Sequence, residues 1–155
     1  MKSVLPLALI LFLLMDNPAA AAVRGRDARY VGGTISALQE NSEGQMELAD
    51  ATLLFTAKKG AKLTIPYDKI ESLEYGQKAG RRLGLAVAIN PLFLLSKKRK
   101  HFLTIGFQGE AGKTEGAVFE LAKGIVHETL STLETKSGKK VEYESDEARK
   151  HAEKN

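Results

Sequence analysis

Lys62-Leu63-Thr64-Ile65-Pro66-Tyr67-Asp68-Lys69-Ile70-Glu71-Ser72-Leu73-Glu74-Tyr75-Gly76 is the stretch whose reading decides the fold. Leu63 and Ile65 stand two residues apart, as do Leu73 and Tyr75, and in a strand that spacing puts each pair on one face. Pro66 cannot donate to a ladder, so the first strand stops there and the second starts near Ile70.

Moving upstream, Lys58-Lys59-Gly60 is a hairpin signal that leads back to Thr52 to Ala57, where Leu53 and Phe55 share a face. Asp50-Ala51 is a tight turn, Gln45 to Leu48 a short strand, and Gln39 to Gly44 another turn. The first strand is Tyr30 to Leu38, in which Gly32-Gly33 predicts a bulge or a close backbone approach. Downstream, His101 to Phe107 aligns Leu103, Ile105 and Phe107. Gly109 to Lys113 turns the chain, and Gly116 to Leu121 aligns Ala117, Phe119 and Leu121. Seven short strands result, the text of an all-β sandwich or barrel. The period then changes: Ile125, Val126, Thr129, Leu130 and Leu133 occupy one face of an amphipathic helix, and Gly138 is placed to stop it. Lys139 to Tyr143 offers a final extended piece. Ser145 to Asn155 is polar throughout and is expected to fray.

This element order resembles that of the bacterial pleckstrin-homology-like and GRAM-like domains. The resemblance rests on Gly44-Gln45-Met46-Glu47-Leu48-Ala49-Asp50, on Leu53-Leu54-Phe55, and on the run from Leu63 to Gly76. It covers residues 29–138. It implies a mainly β fold, a PH-like two-sheet sandwich or barrel of about seven strands with one C-terminal helix plugging an end. Lipid-binding members carry a basic loop between the first two strands, whereas this chain has Gln39-Glu40-Asn41-Ser42-Glu43. Phosphoinositide recognition by that route is not expected, because two acids stand where bases are needed.

The N-terminus carries Lys2, then an apolar run from Val4 to Met15, then Asp16-Asn17-Pro18 and the small residues Ala19 to Ala22. That order describes a secretory signal peptide over residues 1–22, and the run is too short to span a bilayer, which takes about 20 apolar residues. The expected organisation is therefore signal 1–22, leader 23–28, domain 29–138 and polar tail 139–155. It places the mature chain outside the cytoplasm, in the periplasm or the extracellular space, or held at a membrane. The sequence contains no cysteine, so an exported chain of this kind relies on packing alone for its stability.

The net charge of +4 is local. No acid lies between Tyr75 and Gly109, while Lys78, Arg81, Arg82, Lys97, Lys98, Arg99 and Lys100 all do. Inside that stretch runs the apolar text Leu83-Gly84-Leu85-Ala86-Val87-Ala88-Ile89-Asn90-Pro91-Leu92-Phe93-Leu94-Leu95. As a helix its 13 residues reach about 20 Å, short of the roughly 30 Å hydrocarbon core. Three readings are open. The run folds back as a connection covering a sheet edge or capping the barrel. It docks on an anionic membrane surface, with Leu85, Ile89, Leu92 and Phe93 supplying apolar area and Arg81, Arg82, Lys97, Lys98, Arg99 and Lys100 supplying charge. Or it forms a contact with another protein or a second copy.

Other features yield no site. Gly109-Glu110-Ala111-Gly112-Lys113-Thr114 imitates the end of a phosphate-binding loop, but Phe107 replaces the first glycine and a strand follows. His101, His127 and His151 lack metal-ligand spacing. Glu142, Glu144, Asp146 and Glu147 lack a calcium-loop frame. A lone basic run without an aromatic stacking platform argues against nucleic acid. No nucleophile elbow surrounds any serine. The expectation is a non-catalytic binding module without a cofactor.

Overall fold

The computed structural model describes residues 26–77 and 100–154. The expected signal segment and the Leu83 to Leu95 run lie outside the described residues. The first strand, β1 (Arg26–Gly33), already includes residues expected as leader. It is followed by β2 (Ser42–Leu48), β3 (Thr52–Ala57) and β4 (Lys62–Pro66), a four-strand antiparallel meander. A single 3-10 turn, Tyr67–Lys69, leads from Pro66 into β5 (Ile70–Gly76). β6 (His101–Gln108) and β7 (Thr114–Leu121) complete a second antiparallel meander. The phosphate-loop lookalike is the connection between them, a 3-10 turn at Glu110–Gly112.

β1 joins the two meanders, pairing with β2 on one side and β7 on the other. Among the described residues the result is one open sheet of eight strands in the order β4-β3-β2-β1-β7-β6-β5-β8, one more than the seven short strands of the sequence text and in the place of its final extended piece. The added strand, β8 (Val141–Tyr143), runs parallel to β5. Register shifts between Tyr30 and Gly32 leave Val31 as an extra residue, the bulge that Gly32-Gly33 predicts. The close approach is there too: a Cβ on Gly33, at φ +157°, would lie 2.1 Å from the Gly116 carbonyl oxygen. No other residue fits that contact.

The alternation read from the sequence fills the interior. Tyr30, Met46, Leu53, Phe55, Ile65, Leu73, Leu103, Ile105 and Phe119 are all buried in one cluster. Phe119 packs on Tyr30 and Phe55 at ring distances of 5.8 and 5.2 Å. Across this face lies helix α1 (Val126–Ser137), which buries Val126, Thr129, Leu130 and Leu133 as its period requires. Gly138 adopts φ 70° and its N–H donates to the Glu134 carbonyl at 3.0 Å, closing the helix as expected.

Past β8 the sequence expectation fails. Ser145 to Asn155 does not simply fray: Asp146–Glu153 forms helix α2, with Ala148 and Ala152 buried in the main cluster. Ser145 caps it, its hydroxyl accepting from the Ala148 N–H at 3.1 Å. Two alanines four residues apart give a polar helix a narrow stripe small enough to sit close against its neighbours.

Candidate functional site

The segment that the sequence singles out leaves the described structure at Gln77 and returns at Lys100. Both ends meet at one place, because Gly76 at the end of β5 is the register partner of Phe102 at the start of β6. Of the ten proposed contact residues, Lys100 alone is among those described. Arg81, Arg82, Leu85, Ile89, Leu92, Phe93, Lys97, Lys98 and Arg99 lie outside the described residues. Lys100 donates to Glu120 Oε2 at 3.1 Å.

That pair opens a row of alternating charge across the sheet. Glu120 on β7 also faces Arg29 on β1 at 3.7 Å, Arg29 meets Glu43 on β2 at 3.1 Å, and Glu43 accepts from Lys58 at 2.7 Å. The register dictates the sequence of partners, since Arg29 stands opposite both Glu120 and Glu43. Lys58 first, and Arg29 after it, hold the Glu43 carboxyl below its ordinary range. Of the two acids that the sequence text assigns to the loop, Glu43 stands at the start of β2 and is already engaged by the protein's own cations. A hollow of about 290 Å³ borders this row.

The β5 end is pinned by β8, the extended piece of the sequence text, and by the turn into α2. Glu144, just past β8, donates its N–H to the Tyr75 carbonyl at 2.9 Å and accepts from the Gln77 N–H at 2.8 Å. A Cβ on Gly76 would strike that glutamate side chain at 2.7 to 2.8 Å, so glycine is required for the approach. Beneath it, Tyr75 packs edge-on to Tyr143 and stacks with His101. The Tyr75 hydroxyl and His101 Nδ1 are 2.5 Å apart. Burial pushes the phenol up to about 12. Burial also holds His101 below its ordinary range, helped by His151 and Lys123 and opposed by Glu120. Both groups stay neutral near pH 7, which suits a structural pair.

The outward face of the β5–β6–β7–β1 half of the sheet is covered. Phe102 and Val118 alternate with core residues on their strands and so point to the opposite face. Together with Val31 they are only 2%, 0% and 0% exposed, yet all three stand outside the core cluster that contains α1 and α2. Thr104 is buried between them, opposite both Val118 and Glu74. The Glu74 side chain is 4% exposed. The sequence text reads β6 as one-sided, whereas both its faces are buried from Phe102 to Phe107. Phe102, out of phase with Leu103, Ile105 and Phe107, is the one signal of this.

At the opposite end, beside the β4 edge, lies a cleft of about 690 Å³ lined by Leu63, Pro66, Lys69, Phe107, Glu110 and Glu115 among others. Its rim mixes both signs of charge. Among the described residues, no three metal-ligating side chains come together, and no helix is long and apolar enough to cross a membrane. No protein-family model matches the chain, and no curated protein is significantly similar to it.

Proposed function

We propose that this chain is an exported, non-catalytic binding module on the PH-like plan, and that its partner is another protein. The plan is supported by a four-strand and a three-strand meander joined through the β1–β7 pairing, followed by a helix across the interior. The covered outer face carries the choice of partner. A module that meets a bilayer displays a continuous apolar patch. Among the described residues, however, Val31, Phe102 and Val118 are buried, and the same half of the surface carries the Arg29–Glu43–Lys58 ion pairs. Recognition then falls to polar surface such as the mixed-charge cleft beside β4. The acidic loop between β1 and β2, with Glu43 already paired, speaks against phosphoinositides.

A second reading keeps the membrane as partner. It is favoured by the basic text around Leu83 to Leu95, whose roots Gln77 and Lys100 lie side by side on the fold. Co-sedimentation of residues 23–155 with neutral and anionic vesicles separates the two. The protein-partner reading expects the chain to stay in the supernatant with both lipids. Binding that requires anionic lipid, weakens with salt and disappears in a folded Phe93→Asp variant replaces it with membrane docking.

A further inference from the structure

The charges around the cleft beside β4 specify what kind of segment fits it. We infer that this cleft holds an extended peptide segment of the partner protein, in which an apolar side chain stands between an acidic and a basic one. The inference rests on the protein-partner reading and deepens it.

The sheet register sets the two signs of charge apart. Ile70 is the partner of Phe107, and Phe107 in turn of Glu115. Lys69, one residue before Ile70, and Glu115 therefore flank Phe107 across two strand spacings, about 10 Å. Lys62 adds a second cation from β4, and Glu110 a second acid from the turn between β6 and β7. Half-buried Ile35 and Pro66, with buried Leu63 and Phe107, give the same cleft its apolar lining.

These four charges are not spent within the protein. Arg29, Glu43, Lys58, Glu120 and Lys100 neutralise one another in a row. Lys62, Lys69, Glu110 and Glu115 line one cleft, yet among the described residues none of them forms an ion pair or a side-chain hydrogen bond. Two cations and two acids exert no net pull on an anionic headgroup. They match a ligand that carries both signs on one short stretch.

The walls are also set in advance. Gly109 leaves room for the Glu115 carboxyl, which a Cβ there would meet at 2.4 Å. The Gly109 N–H donates to the Lys113 carbonyl at 2.8 Å and closes that turn. On the Ile35 side, the Thr34 N–H donates to the Gly116 carbonyl at 2.9 Å, and the Thr34 hydroxyl accepts from the Gly116 N–H at 3.0 Å. Walls fixed before binding lower its ordering cost.

Size agrees. The cleft's volume of about 690 Å³ falls in the range of about 300–1,000 Å³ usual for ligand sites. Five extended residues span about 13 Å between their end α-carbons, enough to bring an acid to Lys69 and a base to Glu115 with an apolar residue between. Side chains hold the segment, since Pro66 has no N–H for a ladder. β6 runs about 23 Å from His101 to Gln108, so the cleft is well clear of Gln77 and Lys100.

The test titrates isotope-labelled residues 23–155 with blocked pentapeptides, followed by amide chemical shifts. All have leucine in the middle and alanine on each side of it. Two carry lysine at one end and glutamate at the other, in either order; a third has lysine at both ends and a fourth glutamate at both. A mixed-charge peptide should give saturable shifts centred on Leu63, Lys69 and Glu115, with a Kd of about 1 mM or tighter. It should bind at least about threefold more tightly than either single-sign peptide, the scale of one exposed ion pair. Lys69→Glu and Glu115→Lys should each weaken it by at least about as much while the rest of the spectrum stays unchanged. Equal affinity for all the peptides, shifts only outside the cleft, or no saturable shift by about 10 mM overturns the inference. The vesicle result decides the protein-partner reading by itself, so the two failures are told apart.

Discussion

His101 is the residue whose chemistry has the most direct consequence for the whole fold. It lies between the Tyr75 hydroxyl and the ionisable groups Glu120, Lys123 and His151. Burial first, then the two basic neighbours, lower its proton affinity in the folded state. The unfolded chain, with an ordinary value of 6.5, therefore binds a proton before the native chain does. The stability contributed by the neutral ring is complete above that value and is lost as pH falls through the folded one. Thermal melts between about pH 7.5 and 5.5 should show a steeper fall for the native chain than for His101→Phe, which cannot titrate at this position. The variant starts lower at neutral pH because it lacks the Tyr75 contact. Parallel falls in the two proteins would show that His101 is not the group responsible.

At the scale of elements, the clearest question is whether β8 and α2 belong to the fold or merely lie on it. Their apolar contribution is small: Val141, Ala148 and Ala152 are the buried residues. Their polar contribution is specific, with Glu144 bridging to Gln77 and Ser145 capping α2. Arg149 stands 5.3 Å over the Tyr143 ring, and Tyr143 in turn packs on Tyr75. If this assembly unfolds with the sheet, Ser145→Ala should lower global stability by about 0.5–2 kcal/mol in urea melts, the usual cost of losing an N-cap. Ala148→Asp should cost more, because a carboxylate would replace a methyl in a closed space. Unchanged midpoints in both variants, with faster proteolysis of the C-terminus, would mean that α2 opens on its own. The sequence shows why this assembly is hard to read. Strands β3 to β5 announce themselves through Leu53, Phe55, Leu63, Ile65, Leu73 and Tyr75, large side chains at period two. α1 does so through Leu130 and Leu133. α2 has only two alanines among charges, and alanine spacing looks the same in a solvated helix. Its one legible mark is Ser145-Asp146-Glu147, a cap followed by acids in the first turn. The covered outer face escaped for a different reason. Burial there depends on what lies over the sheet, and alternation within β6 speaks only for the face that Leu103 and Ile105 occupy.

For the molecule as a whole, the open sheet determines where stability is concentrated. β1, β7 and β6 each have partners on both sides, whereas β4 is an edge and β8 is a three-residue strand at the other end. The edge at β4 is blunted. Its ladder with β3 is flanked by the Ala57-to-Ala61 and Ala51-to-Tyr67 backbone bonds, so Leu63 and Ile65 are the residues bonded inward. The backbone groups of Lys62 and Thr64 then point off the edge, and Pro66 has no donor to offer. A short strand with an outward lysine and a closing proline is a poor template for another chain. The β5 edge is protected differently, by β8 lying along it. Hydrogen exchange should reproduce this arrangement. Amides of Leu103, Ile105 and Phe119 should exchange only through global unfolding, with the same denaturant dependence as the urea melt. Those of Lys62, Thr64 and Tyr143 should exchange at least about a hundredfold faster through local opening. Uniform protection from β4 to β8 would mean that the corner between β4 and β5 closes in solution. In that case α1 and the Tyr67–Lys69 turn, which pack together across that gap, hold the two meanders as tightly as backbone pairing does.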